Sequence, residues 1–554
     1  MTASESIQAT HFGPVSRRAL LCASVGALAL IGAGTLAAQT PPETPTGQVI
    51  VGLSQEATVF NPLMAGIEVD ETIWMQIYSP LWYSGPDGTL LPELAAEIPT
   101  AENGGISEDG RTWTIHLRDD VTWHDGTPFT AEDVKFSLEL INSPDFRAGN
   151  RMGHELIEEI TVTDPHEITW TMQEPYAPYH ALLAATYMVP RHIVEAADDP
   201  HTALASAPVG TGPFVWGARA SGDSITLHAN EDFFGDGPYM ERAVFRYIPE
   251  QTALYAQFRA GQLDATIGSG IPANYFAEAQ ELPGLVVEAA PNASLEIVMP
   301  NLEHPALQDV AVRRALFAAI DSEAIIEAVY YDLHQPNVSF APIESWAYND
   351  ALEPHVFDID EANRLLDEAG WEMGSGNVRE KDGVPLAFDI STTTGNALRE
   401  QAQQLMIETW RAIGAQVSIN NMPAAVIWGD FYRLSEFDTL LVGTTFRTGM
   451  DPDPSNRFLS SAIPAQGGAG ANYMQWQNEE ADALLHEGIT TFDTDRRREI
   501  YHRLQEIVRD ELPIIPIYQY QVVEGRKEGL EGYVPNINAR HNSWNLREWY
   551  WAQD

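Results

Sequence analysis

The segment RTWTIHLRDDVTWHDGTPFTAEDVKFSLEL, residues 111–140, changes its hydrophobic period midway, and that change limits what the chain can become. Trp113, Ile115 and Leu117 alternate with polar neighbours, the two-residue period of a half-buried strand. Beyond Asp125-Gly126 the spacing lengthens: Val134 and Leu138, like Phe136 and Leu140, lie four apart, as on a helix face. Gly126 can take a left-handed turn conformation at little cost, and Pro128 directs the chain onward. Thr130 stands where an N-cap belongs, with Asp133 three residues later to close a capping box. His124-Asp125 could be read as a metal pair, but no further ligands stand at a workable spacing, so the pair is read as a turn.

The same alternation runs through the chain. QVIVGLSQ, EITWTM, AVFRYI, LEIVMP and TLLVG read as strands. DVAVRRALFAAID places Val312, Leu316 and Ala319 on one stripe with Asp309 as cap, and DRRREIYHRLQEIVRDELP places Ile500, Leu504, Ile507 and Val508 on another before Pro513. Strands alternating with helices predict α/β sheets covered by helices, and 554 residues predict two or three domains.

Residues 1–38 have a separate character. SRRALLCASVGALALIGAGTLAAQT runs from Arg17-Arg18 through a soft apolar stretch to small residues at Ala37-Ala38, the order of a cleaved export signal of twin-arginine type. A retained membrane anchor is the alternative, since Ala19 to Ala38 is barely long enough to span a bilayer. Removing 1–38 removes Cys22, the one cysteine, and with it thiol catalysis and cysteine-ligated zinc. A linker follows at 39–46.

The net charge of −48, from 79 acidic against 31 basic residues, repels nucleic acid and anionic membranes. It suits solubility in a salty medium, with steering of cationic ligands as the other use. Enzyme signatures are missing. HELIE at 154–158 and HEITW at 166–170 lack the second histidine of a zinc protease helix, and VGTGPF at 209–214 lacks the glycines and amides of a phosphate cradle. AQGGAGA at 465–471 lacks the lysine that a phosphate loop needs. The 15 histidines form no evident cluster for nickel.

LRDDVTWHDGTPFTAEDVKFSLE closely resembles the diagnostic segment of family 5 extracellular solute-binding proteins, the peptide- and nickel-binding group serving ABC importers. FNPLMAG, YSPLWYSGPDGTLLPELAAEI, APVGTGPF, DVAVRRALFAAID, FDIDEANRLLDEAGW and RLQEIVRDELPIIPIY resemble the family's other segments, in its order. The resemblance implies an α/β, two-lobed periplasmic-binding-protein architecture of type II, with an extra subdomain and a hinge between lobes. Lobe I would take 47–294 and 519–554, with the subdomain at about 80–206, and lobe II would take 295–518. It further implies an extracytoplasmic, periplasmic monomer without cofactor or catalysis, binding a short peptide or similar zwitterion and handing it to a membrane permease. An oligosaccharide, favoured by 14 tryptophans, and a secreted two-carboxylate hydrolase are the rival readings.

The resemblance also implies a site. In peptide-binding relatives an aspartate of a DPD-type segment meets the ligand's amine; the matching segment here is FRTGMDPDPSNRF, giving Asp451, with Asp453 one register away. Relatives often carry an aromatic residue before that aspartate, where this chain has Arg447, Thr448, Gly449 and Met450. Arg447 could pair with a ligand carboxylate or sit in a surface salt bridge. Trp346 and Tyr348 match a loop bordering the ligand, Trp428 is a further candidate wall, and Met64 lies on a turn that approaches the cleft. For the aromatic residues core packing is the alternative.

Overall fold

The computed structural model describes residues 40–268 and 270–553. The export-signal expectation for 1–38 lies outside the described residues. The strand–turn–helix segment forms as its pattern predicts. Thr112–His116 is a strand, Gly126 has φ +83°, and the helix Ala131–Asn142 starts with the Thr130 amide donating to Asp133 Oδ2 at 3.0 Å. His124 has a structural task. Its Nδ1 accepts from the Gly210 amide at 3.2 Å, which leaves Nε2 to donate to Gly212 O at 3.0 Å. Burial pushes its pKa down to about 4, so the ring is neutral at physiological pH. Asp125 meets His192 at 2.7 Å. The ring thus clips the VGTGPF segment in place, and two motifs with an air of chemistry are absorbed by folding.

Among the described residues, 11 strands form one mixed sheet through the molecule. At one end Gln416–Ile419, Ala387–Ser391 and Thr439–Thr444 pair in parallel. At the other, Ala265–Thr266, Gln48–Leu53 and Arg242–Tyr247 pair in parallel and continue into the antiparallel strands Ser224–Ala229 and Phe214–Ala220. Two long antiparallel strands, Leu285–Pro300 and Ile515–Lys527, join the halves. A separate three-stranded antiparallel sheet of Thr112–His116, Glu167–Met172 and Ile157–Asp164 makes the subdomain.

Apolar side chains gather into cores on each side of the long strands. Val49, Ile73, Phe245 and Trp549 belong to one; Leu316, Phe388, Trp410 and Ile515 to another; Trp113, Trp123, Leu138 and Trp170 fill the subdomain. This is a two-lobed α/β architecture. Where the long strands cross between lobes their ladder breaks, leaving 292–294 between the pairs Pro291–Gln521 and Leu295–Gln519. Just beyond, on the lobe II side, Glu296 is buried and accepts two bonds from Arg399 at 2.6 and 2.9 Å, while Tyr520 donates to the same carboxylate. No helix among the described residues is long and apolar enough to cross a membrane.

Gly210 and Gly212 let the clipped segment touch the end of the helix Glu68–Ile77: a Cβ on Gly210 would fall 1.8 Å from Ile77 O. Gly210→Ala is therefore expected to destabilise the chain by about 3 kcal/mol, read as a lower denaturant midpoint.

Candidate functional site

Past the strand Thr439–Thr444 a tight turn holds or adjoins three of the seven predicted site residues, Arg447, Asp451 and Asp453. Thr448 and Asp451 exchange backbone hydrogen bonds at 3.1 and 3.0 Å, which puts Gly449 and Met450 at the tip. Gly449 has φ +60°, and a Cβ there would lie 2.8 Å from Leu182 Cδ2, so the tip touches the subdomain where only glycine fits. The base of the turn is a buried ion pair. Arg497, from the helix Thr494–Glu511, donates from Nη2 to Asp451 Oδ1 at 2.5 Å and from Nη1 to Oδ2 at 2.9 Å. The same guanidinium donates to Tyr501 Oη at 2.7 Å and Gly488 O at 3.0 Å and lies 5.5 Å from the Trp346 ring centre.

Asp451 is only 4% exposed, and both its oxygens are engaged. It borders a cavity, but the free carboxylate expected for a ligand amine is not on offer, because Arg497 already neutralises it. Asp453 is buried deeper, accepting from Thr448 Oγ1 at 3.0 Å and Ser455 Oγ at 2.5 Å. Burial, then the charge of Asp451, pushes its pKa up to about 6.

Five cavities border this region. The first, about 380 Å³, lies over the break in the long strands, with Asn292, Ser294 and Val522 on its wall. Glu68, in the first turn of the helix Glu68–Ile77, borders it from lobe I; Arg447 borders it from the turn. Arg447 spends Nη1 on Ile537 O at 3.0 Å, while its Nε is buried without a partner. Burial, then the nearby Arg540, pushes its pKa down to about 10, so the cation persists at neutral pH. Burial also raises the Glu68 carboxyl above its ordinary range, Arg540 opposing. Arg540 pairs with Glu71 at 2.7 Å, yet burial outweighs that partner and pushes Glu71 up to about 7. Glu524, on the same wall, is satisfied internally by Gly268 N, Asn542 Nδ2 and Tyr533.

The second cavity, about 430 Å³, lies between the subdomain and lobe II, and Trp346 borders it. Beside it Phe492 reaches from lobe II toward Trp113 and His180, with ring centres at 5.9 and 6.1 Å. Met64 borders a third space of about 230 Å³. Two smaller spaces, about 40 and 180 Å³, adjoin these. Two predicted walls are elsewhere. Trp428 is 44% exposed against Tyr432, and Tyr348 packs on the lobe II core; neither borders these cavities, and Asp453 does not either. Sequence reasoning missed Glu68, Arg540 and Met450. Glu68 reads as an ordinary acid of a helix's first turn, and no local pattern links Arg540 to a helix at the other end of the chain.

With Asp451 replaced, Arg497 would be a buried cation short of its counter-ion. Asp451→Asn is expected to lower stability by about 3 kcal/mol in denaturant unfolding.

Known proteins share this chain's pattern. The profile of the bacterial extracellular solute-binding proteins, family 5 middle region, matches residues 89–466. The oligopeptide-binding protein AppA of Bacillus subtilis is 26% identical over 517 residues, covering 92% of each chain. The dipeptide-binding protein of Escherichia coli is 27% identical, covering 80% of this chain and 85% of its own. The structure of NikZ from Campylobacter jejuni in complex with Ni(L-His) aligns with TM-score 0.72 and 26% identity, over 91% of this chain and 99% of that one.

Proposed function

Because this chain belongs to the family 5 bacterial extracellular solute-binding proteins, a family of non-enzymatic transporter components, we propose that its solute is a small zwitterion of dipeptide kind. One observation carries this reading: Glu68 and Arg447, of opposite charge and from opposite lobes, border the same cavity of about 380 Å³. That volume lies in the range of ligand cavities, about 300–1,000 Å³. With Nη1 engaged by Ile537, the Arg447 guanidinium remains the cation that a ligand carboxylate would meet in this cavity. Glu68 supplies the counter-charge for an ammonium. The names of the peptide-binding relatives support the same class.

Binding draws residues 47–294 with 519–554 and residues 295–518 together across the broken ladder at 292–294, where unpaired backbone absorbs the rotation. Ligand favours the closed form only through its greater affinity for it, and a zwitterion spanning both lobes has that difference built in. The closed monomer then presents its solute to an ABC permease after export directed by residues 1–38.

Calorimetry with dialanine tests the assignment. Arg447→Ala is expected to weaken binding by about 2 kcal/mol. It should add nothing when the peptide's carboxylate is already amidated; an equal loss for the free and amidated peptides would refute the contact.

The pH dependence follows from Glu68, whose carboxyl is raised above its ordinary range by burial, with Arg540 opposing. The ligand's ammonium favours the ionised carboxylate, so affinity should rise as pH climbs through the range where Glu68 loses its proton, until the ligand's own amine titrates near about pH 8. Glu68→Gln should flatten that rise in titrations at stepped pH.

A further inference from the structure

We infer that Met450 divides the cleft and sets the length of ligand it accepts, an inference that rests on the zwitterion reading above. Among the described residues, Met450 alone borders four of the five cavities, those of about 380, 430, 40 and 230 Å³. Its backbone is held on every side. The Thr448–Asp451 exchange closes the turn, Arg497 anchors Asp451, Thr448 bonds Asp453, and Gly449 abuts Leu182. Its side chain, by contrast, is partly exposed, unbranched and turns about three bonds. A fixed stem thus carries an adaptable plug at the junction of the chambers.

A dipeptide held between Glu68 and Arg447 remains in the first chamber. A third and fourth residue would have to pass Met450 to enter the second, where Leu90, Ile98, Trp346 and Phe492 offer apolar surface among polar neighbours such as Asp87, His180 and Arg498. In the wild type the thioether must swing aside for that passage, giving up its contacts. Truncation to alanine opens the way and more than doubles the continuous space.

The test is calorimetry of dialanine and tetraalanine on the wild-type chain, Met450→Ala and Met450→Leu, with thermal unfolding as the control for folding. The wild type should prefer dialanine. Met450→Ala should move the ratio of the two dissociation constants toward tetraalanine by roughly tenfold or more, the scale of a few methylenes in a pocket. Met450→Leu should keep the wild-type ratio, and Met450→Ser replaces the alanine variant if that one does not fold. An unmoved ratio with dialanine still bound, or a wild type that already prefers tetraalanine, overturns the role of Met450 and leaves the zwitterion reading standing. A wild-type chain that binds neither peptide overturns both.

Discussion

Two antiparallel strands, Leu285–Pro300 and Ile515–Lys527, carry the sheet from one lobe into the other, and their pairing decides where everything else can be. Antiparallel pairing over most of their length gives stiffness, whereas a site that closes needs a place where the ladder yields. Both demands are met by interruption. The ladder is regular from 285 to 291, lapses at 292–294, and resumes at 295. At the lapse, Glu296 and Tyr520, one from each strand, both bond Arg399 of the helix Ala397–Ala412, which ties the two strands to that helix. The first cavity lies over the same residues, so cavity and interrupted ladder share one point of the chain.

Charge is disposed by a similar economy. With 79 acidic and 31 basic residues, an arginine inside the protein finds an internal partner easily, and most do. Arg399 is engaged by Glu296, Arg497 by Asp451 and Arg547 by Glu93, while Arg313 donates to four backbone carbonyls. Arg509 lacks a partner at Nε but lies 4.3 Å from the Phe317 ring centre. Arg447 has neither remedy: one bond to a carbonyl, and no stacked ring. A desolvated donor left unpaired is costly, which sets Arg447 apart from the other buried arginines of so acidic a chain.

Local structure was legible where local chemistry determines it. The period change at 111–140, the capping box at Thr130 and Asp133 and the cap at Asp309 each depend on residues within a few positions, and each formed as read. The family was legible as well, since its segments recur in order. The electrostatic roles were not. Asp451 looks available in the sequence because its partner, Arg497, stands 46 positions away on another element. Trp428 looks like a wall because tryptophan is usually covered, yet a five-residue π-helical stretch, Ile427–Phe431, turns it outward. Glu68 and Arg540 meet only because the C-terminal segment returns to lobe I.

The fate of Asp451 shows why such a pair is retained in a place where a ligand anchor was expected. A buried ion pair is seldom a net gain in stability over apolar residues of similar volume, because two charges must be stripped of water. What it supplies is direction: two parallel hydrogen bonds fix the carboxylate in plane and distance, and through it the turn Thr448–Asp451. An apolar contact would hold the turn as firmly but let it slide. Slippage there would carry Arg447 and Met450 with it, four residues and one residue from the anchor. Under the proposed assignment, a guanidinium that meets a carboxylate and a plug between chambers both tolerate little displacement, so selectivity rests on a charge pair that need never touch the solute.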